Sequence, residues 1–120
     1  MNKEELHRRA VKAATHSILR RGYEVIDTDW ESVCGGHIDL VAKDHDELVF
    51  IDVTVSEDQE KGFLDGNPNQ NQMEIMAAQW LAASSPADSD LKVRFDTISL
   101  IVLNEQRAFM RHHTNVFSQA

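Results

Sequence analysis

The stretch that decides the fold is a pair of apolar runs, Gly35-Gly36-His37-Ile38-Asp39-Leu40-Val41-Ala42 and Leu48-Val49-Phe50-Ile51-Asp52-Val53-Thr54-Val55. Each run has the composition of a buried strand, yet each carries one aspartate near its middle. Aspartate is depleted inside strands because it packs poorly there and its short carboxylate loses hydration. Two such residues in neighbouring strands therefore indicate a site.

The polar segment 44–47 between the two runs predicts how they pair. A two- or four-residue loop at its centre places Asp39 across from Asp52, and His37 across from Thr54, in an antiparallel hairpin. Strand alternation then predicts these four side chains on one face and the aliphatic side chains on the other. A three- or five-residue loop would shift this register.

The predicted pairing of Asp39 with Asp52 requires a compensating interaction. Directly opposed side chains have Cβ atoms about 5 Å apart, where like charges are destabilising. A shared proton, a basic neighbour or a divalent cation would offset the repulsion. Only the cation makes the arrangement obviously useful.

Length and composition indicate one domain over residues 1–120, with 42% hydrophobic and 27% charged residues. The charged first residues do not predict a secretory signal, and the longest apolar run is far short of a membrane span. The single cysteine, Cys34, fits a reducing compartment. We therefore expect a cytoplasmic protein without a membrane or small-molecule partner.

Charge is distributed unevenly along the chain. The net charge of -8 argues against a general nucleic-acid binder. Residues 1–21, however, hold six basic and two acidic side chains, whereas the remainder holds six basic and eighteen acidic ones. The basic residues of this first helix, Arg8, Arg9 and Lys12 among them, could contact a phosphate backbone of DNA or RNA. They could equally form a solvated face or pair with the acidic part of a second copy.

Hydrophobic spacing predicts the order helix, three strands, helix, strand. The first helix is expected over residues 3–21, a polar loop over 57–69, a second helix around 73–81 and a fourth strand over 92–103. Residues 107–113 could form an edge strand or a terminal helix. Strands covered on both faces imply helices on both sides of a mixed sheet, so the predicted fold is an α/β/α sandwich with four to five strands.

The order of elements and several motifs resemble the YraN-like family of bacterial proteins, within the restriction-endonuclease-like, PD-(D/E)XK superfamily that includes Holliday-junction resolvases. The resemblance covers nearly the whole chain and rests on the order and spacing of its matches. They are Ala14 and Ile18 before Gly22-Tyr23, the runs 35–41 and 48–53, Ala77 to Leu81, Arg94-Phe95-Asp96 and Asn115-Val116-Phe117.

The resemblance implies roles for three hairpin residues. In that superfamily, two acidic residues on adjacent strands hold Mg²⁺, and a lysine two residues beyond the second acid activates or orients the attacking water. Asp39 and Asp52 then correspond to the metal ligands, for Mg²⁺ or Mn²⁺, and Thr54 stands in the lysine's place. A restriction-endonuclease-like fold and a metal-dependent endonuclease site are what the resemblance implies.

The chain departs from the family pattern at several positions. Relatives usually carry glutamate where this chain has His37 and Val11, and a base where it has Thr54, while the amides of residues 69–72 replace frequent lysines. Threonine cannot supply positive charge near a scissile phosphate. Lys43 lies about 13 Å along the strand from Asp39 at ~3.3 Å per residue, and Lys61, in the polar loop, is the better candidate for a replacement base.

His37 permits two interpretations beside Asp39 and Asp52. It is either a third metal ligand, in which case imidazole favours softer cations than Mg²⁺, or a neutral hydrogen-bonded group that relieves acidic crowding.

Two further pairs of residues lie outside the hairpin. Arg94 and Asp96 are expected to form a structural ion pair. The adjacent His112 and His113 point to opposite faces of a strand, so they cannot chelate one ion together, and both are expected at the surface.

These observations favour a nuclease-fold protein with a degenerate active site. It would bind nucleic acid or a protein partner, with weak or no cleavage. The rival hypothesis is a non-enzymatic homodimeric interaction module that uses the fold as a scaffold.

Overall fold

The computed structural model describes residues 2–63, 69–84 and 91–117. Residues 64–68 of the predicted polar loop 57–69 lie outside the described residues. Within the described residues, two helices and five strands follow one another: α1 (Lys3–Arg20), β1 (Glu24–Glu31), β2 (His37–Asp44), β3 (Glu47–Ser56), α2 (Gln70–Ser84), β4 (Lys92–Asn104) and β5 (Arg107–His113).

The five strands form one mixed sheet in the order β1-β2-β3-β4-β5. Neighbouring strands are antiparallel except β3 and β4, which run parallel and are joined through α2. The predicted α/β sandwich, with its restriction-endonuclease-like arrangement, is confirmed. Of the two alternatives for residues 107–113, the edge strand is the one that forms.

Helix α1 begins directly after a side-chain cap and ends two residues before a glycine. The Asn2 carboxamide accepts a hydrogen bond from the Glu5 backbone N–H at 2.8 Å, which satisfies one of the free donors of the first turn. Gly22, two residues beyond the helix, has φ +89°, a conformation that glycine adopts without steric cost. The predicted helix 3–21 agrees with the observed one to within a residue.

Each face of the sheet carries its own apolar cluster. On the α1 side, buried side chains of the helix pack against strands β2, β3 and β4. The helix contributes Ala10, Val11, Ala14 and Ile18, and β2 and β3 contribute Leu40, Val49, Ile51 and Val53. On the α2 side, Ala77 and Trp80 pack against Ile38, Val41 and Phe50. The helices therefore cover opposite faces of the sheet, as the apolar strands predicted.

The β2–β3 register agrees with the prediction at every pair from Asp44↔Glu47 to Leu40↔Ile51. A two-residue turn closes the hairpin, and its first residue, His45, has φ +56°. The regular pairing ends at Leu40↔Ile51. The two aspartates therefore lie at the point where the strands separate, just beyond the last ladder pair.

The predicted alternation fails at the start of β2. Ile38 was expected on the same face as Leu40, yet Ile38 packs on the α2 side and Leu40 on the α1 side. The reason lies in Asp39, whose carboxylate accepts a hydrogen bond from the Val53 backbone N–H at 2.7 Å. This side chain takes the place of a ladder bond between the strands, so the regular pleat does not continue through it.

Candidate functional site

Asp39 is the centre of the site. Its side chain is 4% exposed, and the hydrogen bond from Val53 fixes one carboxylate oxygen. The other oxygen, Oδ1, lies 2.7 Å from Nε2 of His7 and 3.0 Å from Nε2 of His37. Two imidazole rings from different elements thus converge on a single oxygen of a buried carboxylate.

His7 reaches the site from the first turns of α1. It lies one helical turn before the buried residues Ala10 and Val11, so it belongs to the stripe that packs on the sheet. The sheet does not cover it fully, and its side chain is 36% exposed. His7 was not predicted as a site residue, although the apolar spacing places it on the inward face of the helix.

Asp29 completes the cluster from β1. The β1–β2 pairs Thr28↔Leu40 and Trp30↔Ile38 place Asp29 opposite Asp39. Asp29 has φ +48° in the middle of a strand, a conformation that costs about 1–3 kcal/mol for a non-glycine residue. Its Oδ1 lies 3.5 Å from Nε2 of His37. No sequence signal identified Asp29, because the register of β1 was not predicted.

The four side chains together present two imidazole nitrogens and two carboxylate oxygens. One ligand atom from each of His7, Asp29, His37 and Asp39 lies within 4.8 Å of all the others. Two of the residues predicted to bind metal, His37 and Asp39, belong to this group. The third, Asp52, is not a member.

Asp52 contacts Asp39 from another direction and lines a cavity that His37 and Asp39 also line. Burial, the charge of Asp39 and a hydrogen bond with its carboxyl group raise the pKa of Asp52 to about 6, and the two nearby histidines offset only part of this. The acid pair was predicted to need a shared proton, a basic neighbour or a cation. The contact between the carboxyl groups is consistent with the first of these.

The cavity beside Asp52 has a volume of about 330 Å³. Its polar wall combines Asp39 and Asp52 with amide side chains at the start of α2, Asn69 and Gln72. Among the described residues that line it there is no lysine or arginine. Of the four amides at residues 69–72 that replace the frequent lysines of relatives, Asn69 and Gln72 line the cavity with the acid pair.

Thr54 occupies the position where the superfamily has its lysine. Its hydroxyl donates a hydrogen bond to the Ser99 hydroxyl on β4 at 3.0 Å. Lys43 pairs with Leu48 near the hairpin turn, and Lys61 is exposed beyond β3. Neither lysine lines the cavity.

The three basic residues proposed to contact nucleic acid point in different directions. Arg8 lies with Lys3 in a groove of about 510 Å³ that also holds His7, Asp29 and His37. Nη2 of Arg9 lies 3.6 Å from Oε1 of Glu5, and Arg9 lines a different groove, between α1 and strands β4 and β5. Lys12 is exposed. Of the three, Arg8 adjoins the group formed by His7, Asp29, His37 and Asp39.

A second buried carboxylate, Asp96, lies elsewhere on the α1 side of the sheet. Arg94 donates to both of its oxygens at 3.0 Å, so the predicted structural ion pair is confirmed. Nε2 of His112 lies 2.8 Å from Asp96 Oδ2. The prediction of a surface position is wrong for His112, whose side chain is 1% exposed, and holds for His113. Alternation places one histidine of the pair inward, where Asp96 contacts it.

Comparison with known proteins identifies the family of this chain. Residues 11–100 match the model of the uncharacterised protein family UPF0102. The chain belongs to this family. A UPF0102 protein of Ruegeria pomeroyi is 35% identical over 92 residues, covering 72% of this chain and 73% of that protein. One of Geobacter sulfurreducens is 32% identical over 104 residues, covering 84% and 79%.

A UPF0102 protein of Carboxydothermus hydrogenoformans is 29% identical over 121 residues, and the match covers 97% of this chain and 98% of that protein. The resemblance to the YraN-like family is thereby confirmed. In the described part of the chain, neither helix has the length and apolar character needed to cross a membrane.

Proposed function

We propose that this chain is a nucleic-acid-binding protein of the nuclease fold in which cleavage of phosphodiester bonds is weak or lost. One observation carries the proposal. The acid pair Asp39 and Asp52 stands where strands β2 and β3 separate, while the hydroxyl of Thr54 is bonded to Ser99 in the place of a catalytic lysine.

Hydrolysis of a phosphodiester needs a nucleophile held close to phosphorus and positive charge to balance the transition state. A threonine hydroxyl supplies neither an ammonium group nor a general base at neutral pH. The cavity beside Asp52 adds the amide groups of Asn69 and Gln72 and the imidazole of His37, and no lysine or arginine is among its described lining residues. We infer that the site retains the means of recognition and has lost much of the means of cleavage.

The donor set does not fit Mg²⁺, the cation that the fold implies. Mg²⁺ demands near-octahedral oxygen coordination, whereas two of the four convergent groups here are imidazoles. The proposed function therefore includes no step that depends on Mg²⁺, or on Mn²⁺ held in its place.

Phosphate contacts would come from the groove beside α1. Arg8 and Lys3 are its basic groups, and Lys12 lies one turn beyond Arg8 on the same helix. Because the net charge is -8, these contacts must act locally against a repulsive body. Binding should therefore weaken steeply as salt is raised. The proposed setting is the cytoplasm, as the composition predicts.

The binding half of the proposal is tested by mobility shift of duplex DNA, branched DNA and RNA at low salt. We expect retardation that Arg8→Ala reduces, with the salt slope falling by about 1 for each lost phosphate contact. Arg107→Ala on β5 is the matched control, since it removes an exposed arginine outside the groove. Absence of retardation at low salt contradicts the proposal.

The cleavage half is tested by restoring the missing group. Alternation along β3 places Thr54 on the face of Asp52, so Thr54→Lys brings an ammonium group beside the acid pair. We expect this variant to cleave faster than the wild type under the same buffer conditions, and Thr54→Val to gain nothing. Robust wild-type cleavage that Asp52→Asn abolishes would contradict the degenerate site.

The homodimeric interaction module stays as the alternative, and one observation favours it. Edge strand β5 carries Phe109, whose residue surface is 57% exposed, and its neighbours Ala108 and Met110 line a groove of apolar, basic and acidic side chains. Light scattering at micromolar concentration distinguishes the two. A strict monomer that binds DNA supports our proposal, and a stable dimer without DNA binding supports the alternative.

A further inference from the structure

Two histidines and two aspartates from three different elements converge at the open end of β2. We propose that His7, Asp29, His37 and Asp39 form a binding site for a divalent transition metal of the imidazole-preferring kind, with Zn²⁺ favoured over Mg²⁺. The inference rests on the proposed function only in that it concerns the same end of the sheet, and it does not require nucleic acid.

The distances between the ligand atoms suit a small tetrahedral site. Zn–N and Zn–O bonds near 2.0–2.1 Å place tetrahedral ligand atoms about 3.4 Å apart. Here Asp39 Oδ1 lies 2.7 Å and 3.0 Å from the two imidazole nitrogens, and Asp29 Oδ1 lies 3.5 Å from that of His37. Small side-chain rotations would therefore bring all four atoms to bonding distance of one ion.

The chemistry of the donors selects the metal. Neutral imidazole is a strong ligand for Zn²⁺ and its neighbours in the first transition row, whereas Mg²⁺ and Ca²⁺ take oxygen ligands. Two carboxylates and two imidazoles also balance the ion's charge of +2. A cation here would relieve the crowding of negative charge around Asp39 and Asp52, which no lysine or arginine among the described lining residues does.

The surroundings of the four ligands are those of a supported site. The Val53 N–H holds the far oxygen of Asp39, which orients the carboxylate toward the two histidines. His7 and His37 are only partly exposed, with side chains at 36% and 40%, and the groove beside them is an entry path from solvent.

The competing interpretation is that both histidines serve only as hydrogen-bond partners of Asp39. It accounts for His7 and His37 but gives no reason for Asp29, which is held at φ +48° with its oxygen 3.5 Å from the nearest imidazole nitrogen. At that distance a direct hydrogen bond contributes little. A fourth ligand around a shared ion does account for its position.

Isothermal titration of the metal-free protein with Zn²⁺ and with Mg²⁺ tests the proposal. A Cys34→Ser background removes the exposed thiol as a source of Zn²⁺ binding. We expect one Zn²⁺ per chain and a dissociation constant for Mg²⁺ at least 100-fold higher. Equal affinity for the two metals, or no Zn²⁺ binding, overturns the proposal.

Two histidine variants assign the site. His7→Ala and His37→Ala should each weaken Zn²⁺ binding by at least the ~10–100-fold that loss of even an outer-shell partner costs. His16→Ala is the matched control, because it removes an exposed imidazole from the same helix as His7. Equal effects of His7→Ala and His16→Ala overturn the assignment, and circular dichroism checks that each variant is folded.

A third variant is designed to shift the metal preference from Zn²⁺ toward Mg²⁺. His37→Glu replaces an imidazole with a carboxylate at a position whose side chain is 40% exposed. Zn²⁺ should bind less tightly and Mg²⁺ more tightly than in the wild type; an unchanged ratio argues against His37 as a ligand. None of these titrations contains nucleic acid, so a failed mobility shift leaves them intact, and a failed titration leaves the mobility shift intact.

Discussion

Two buried aspartates among the described residues contact histidines, Asp39 and Asp96, and their surroundings differ in opposite directions. Asp96 is 0% exposed and receives hydrogen bonds from Arg94, His112 and the Asn115 backbone N–H. Burial alone would raise the pKa of Asp96, but these bonds outweigh it and lower the pKa. Asp39 is nearly as buried, yet its neighbour is a second acid, Asp52, whose pKa is raised to about 6.

The two centres differ in the groups that compensate the negative charge of the buried carboxylate. Arg94 itself bonds Asp44 at 2.9 Å and the Tyr23 hydroxyl at 2.7 Å, and the bonds to its acidic partners raise its pKa against the effect of burial. The Asp96 centre is a satisfied network that holds strands together. The Asp39 centre places a second acid, Asp52, beside the buried carboxylate, and the groups that offset the raised pKa of Asp52 are the imidazoles of His7 and His37.

The largest effect is expected when the satisfied network is broken. Asp96→Asn leaves the buried Arg94 without its bidentate partner, so it should lower the free energy of unfolding by about 3–5 kcal/mol at pH 7. Urea denaturation measures this, with Glu105→Gln in the exposed turn after β4 as the control.

The pH dependence of the same variant gives an independent check. Because the folded pKa of Asp96 is lowered, its contribution to stability is present above the ordinary carboxyl pKa and is lost as pH falls through the folded value. The free energy of unfolding of Asp96→Asn should therefore fall less on acidification than that of the wild type. If Asp96→Asn lowers the free energy of unfolding by less than 1 kcal/mol at pH 7, the network around Asp96 is not stabilising, and the contrast with Asp39 fails.

At the other centre a substitution of the same kind should act in the opposite direction. The pKa of Asp52 rises from 3.8 to about 6 on folding, so the folded state binds the proton more tightly. Stability from this group is highest below pH 3.8 and declines as pH rises toward 6, by at most about 3 kcal/mol. Metal-free Asp52→Asn should therefore be more stable than the wild type at pH 7.

Thermal or urea unfolding in the presence of a chelator measures this gain, and Asp46→Asn in the hairpin turn is the control. The gain should vanish at pH 4, where the wild-type carboxyl is protonated in the folded protein. If Asp52→Asn destabilises the protein at pH 7, the acid pair is a structural feature and the comparison fails.

The two histidine contacts permit a matched pair of substitutions. His112→Gln removes a ring that is 1% exposed and bonded to Asp96, so we expect a loss of about 1–3 kcal/mol. His37→Gln removes a ring that is 40% exposed, and its metal-free stability should change by less than about 0.5 kcal/mol. Losses of equal size would show that His37 is as structural as His112.

The sequence predicts much of the fold because the relevant signals are local. The polar segment 44–47 fixed the hairpin register correctly as far as Leu40↔Ile51, and helical spacing located both helices. Arg94 and Asp96, two residues apart on one strand, were recognisable as an ion pair because alternation places them on the same face.

The site itself was predicted only in part, since it depends on contacts between distant elements. His7 and Asp39 are 32 residues apart, and Asp29 lies opposite Asp39 only through the register of β1. The broken alternation at Asp39 arises from a side-chain bond to the Val53 backbone, which no period of hydrophobicity reports. His112 was misplaced for the same reason, because its partner Asp96 lies on a different strand.

The smallest effect is expected at the rim of the satisfied network. Arg21, directly after α1, donates from Nη1 to Nδ1 of His112 at 2.8 Å. Because arginine is always a donor, Nδ1 must be the acceptor, and the ring proton therefore lies on Nε2, where it is donated to Asp96. Arg21→Gln should cost about 0.5–1.5 kcal/mol, the net value of one hydrogen bond, whereas Arg20→Gln should cost less. Nitrogen NMR of His112 reads the tautomer directly. A ring protonated on Nδ1 in the wild type would contradict this arrangement and would leave Asp96 with one donor fewer than its lowered pKa requires.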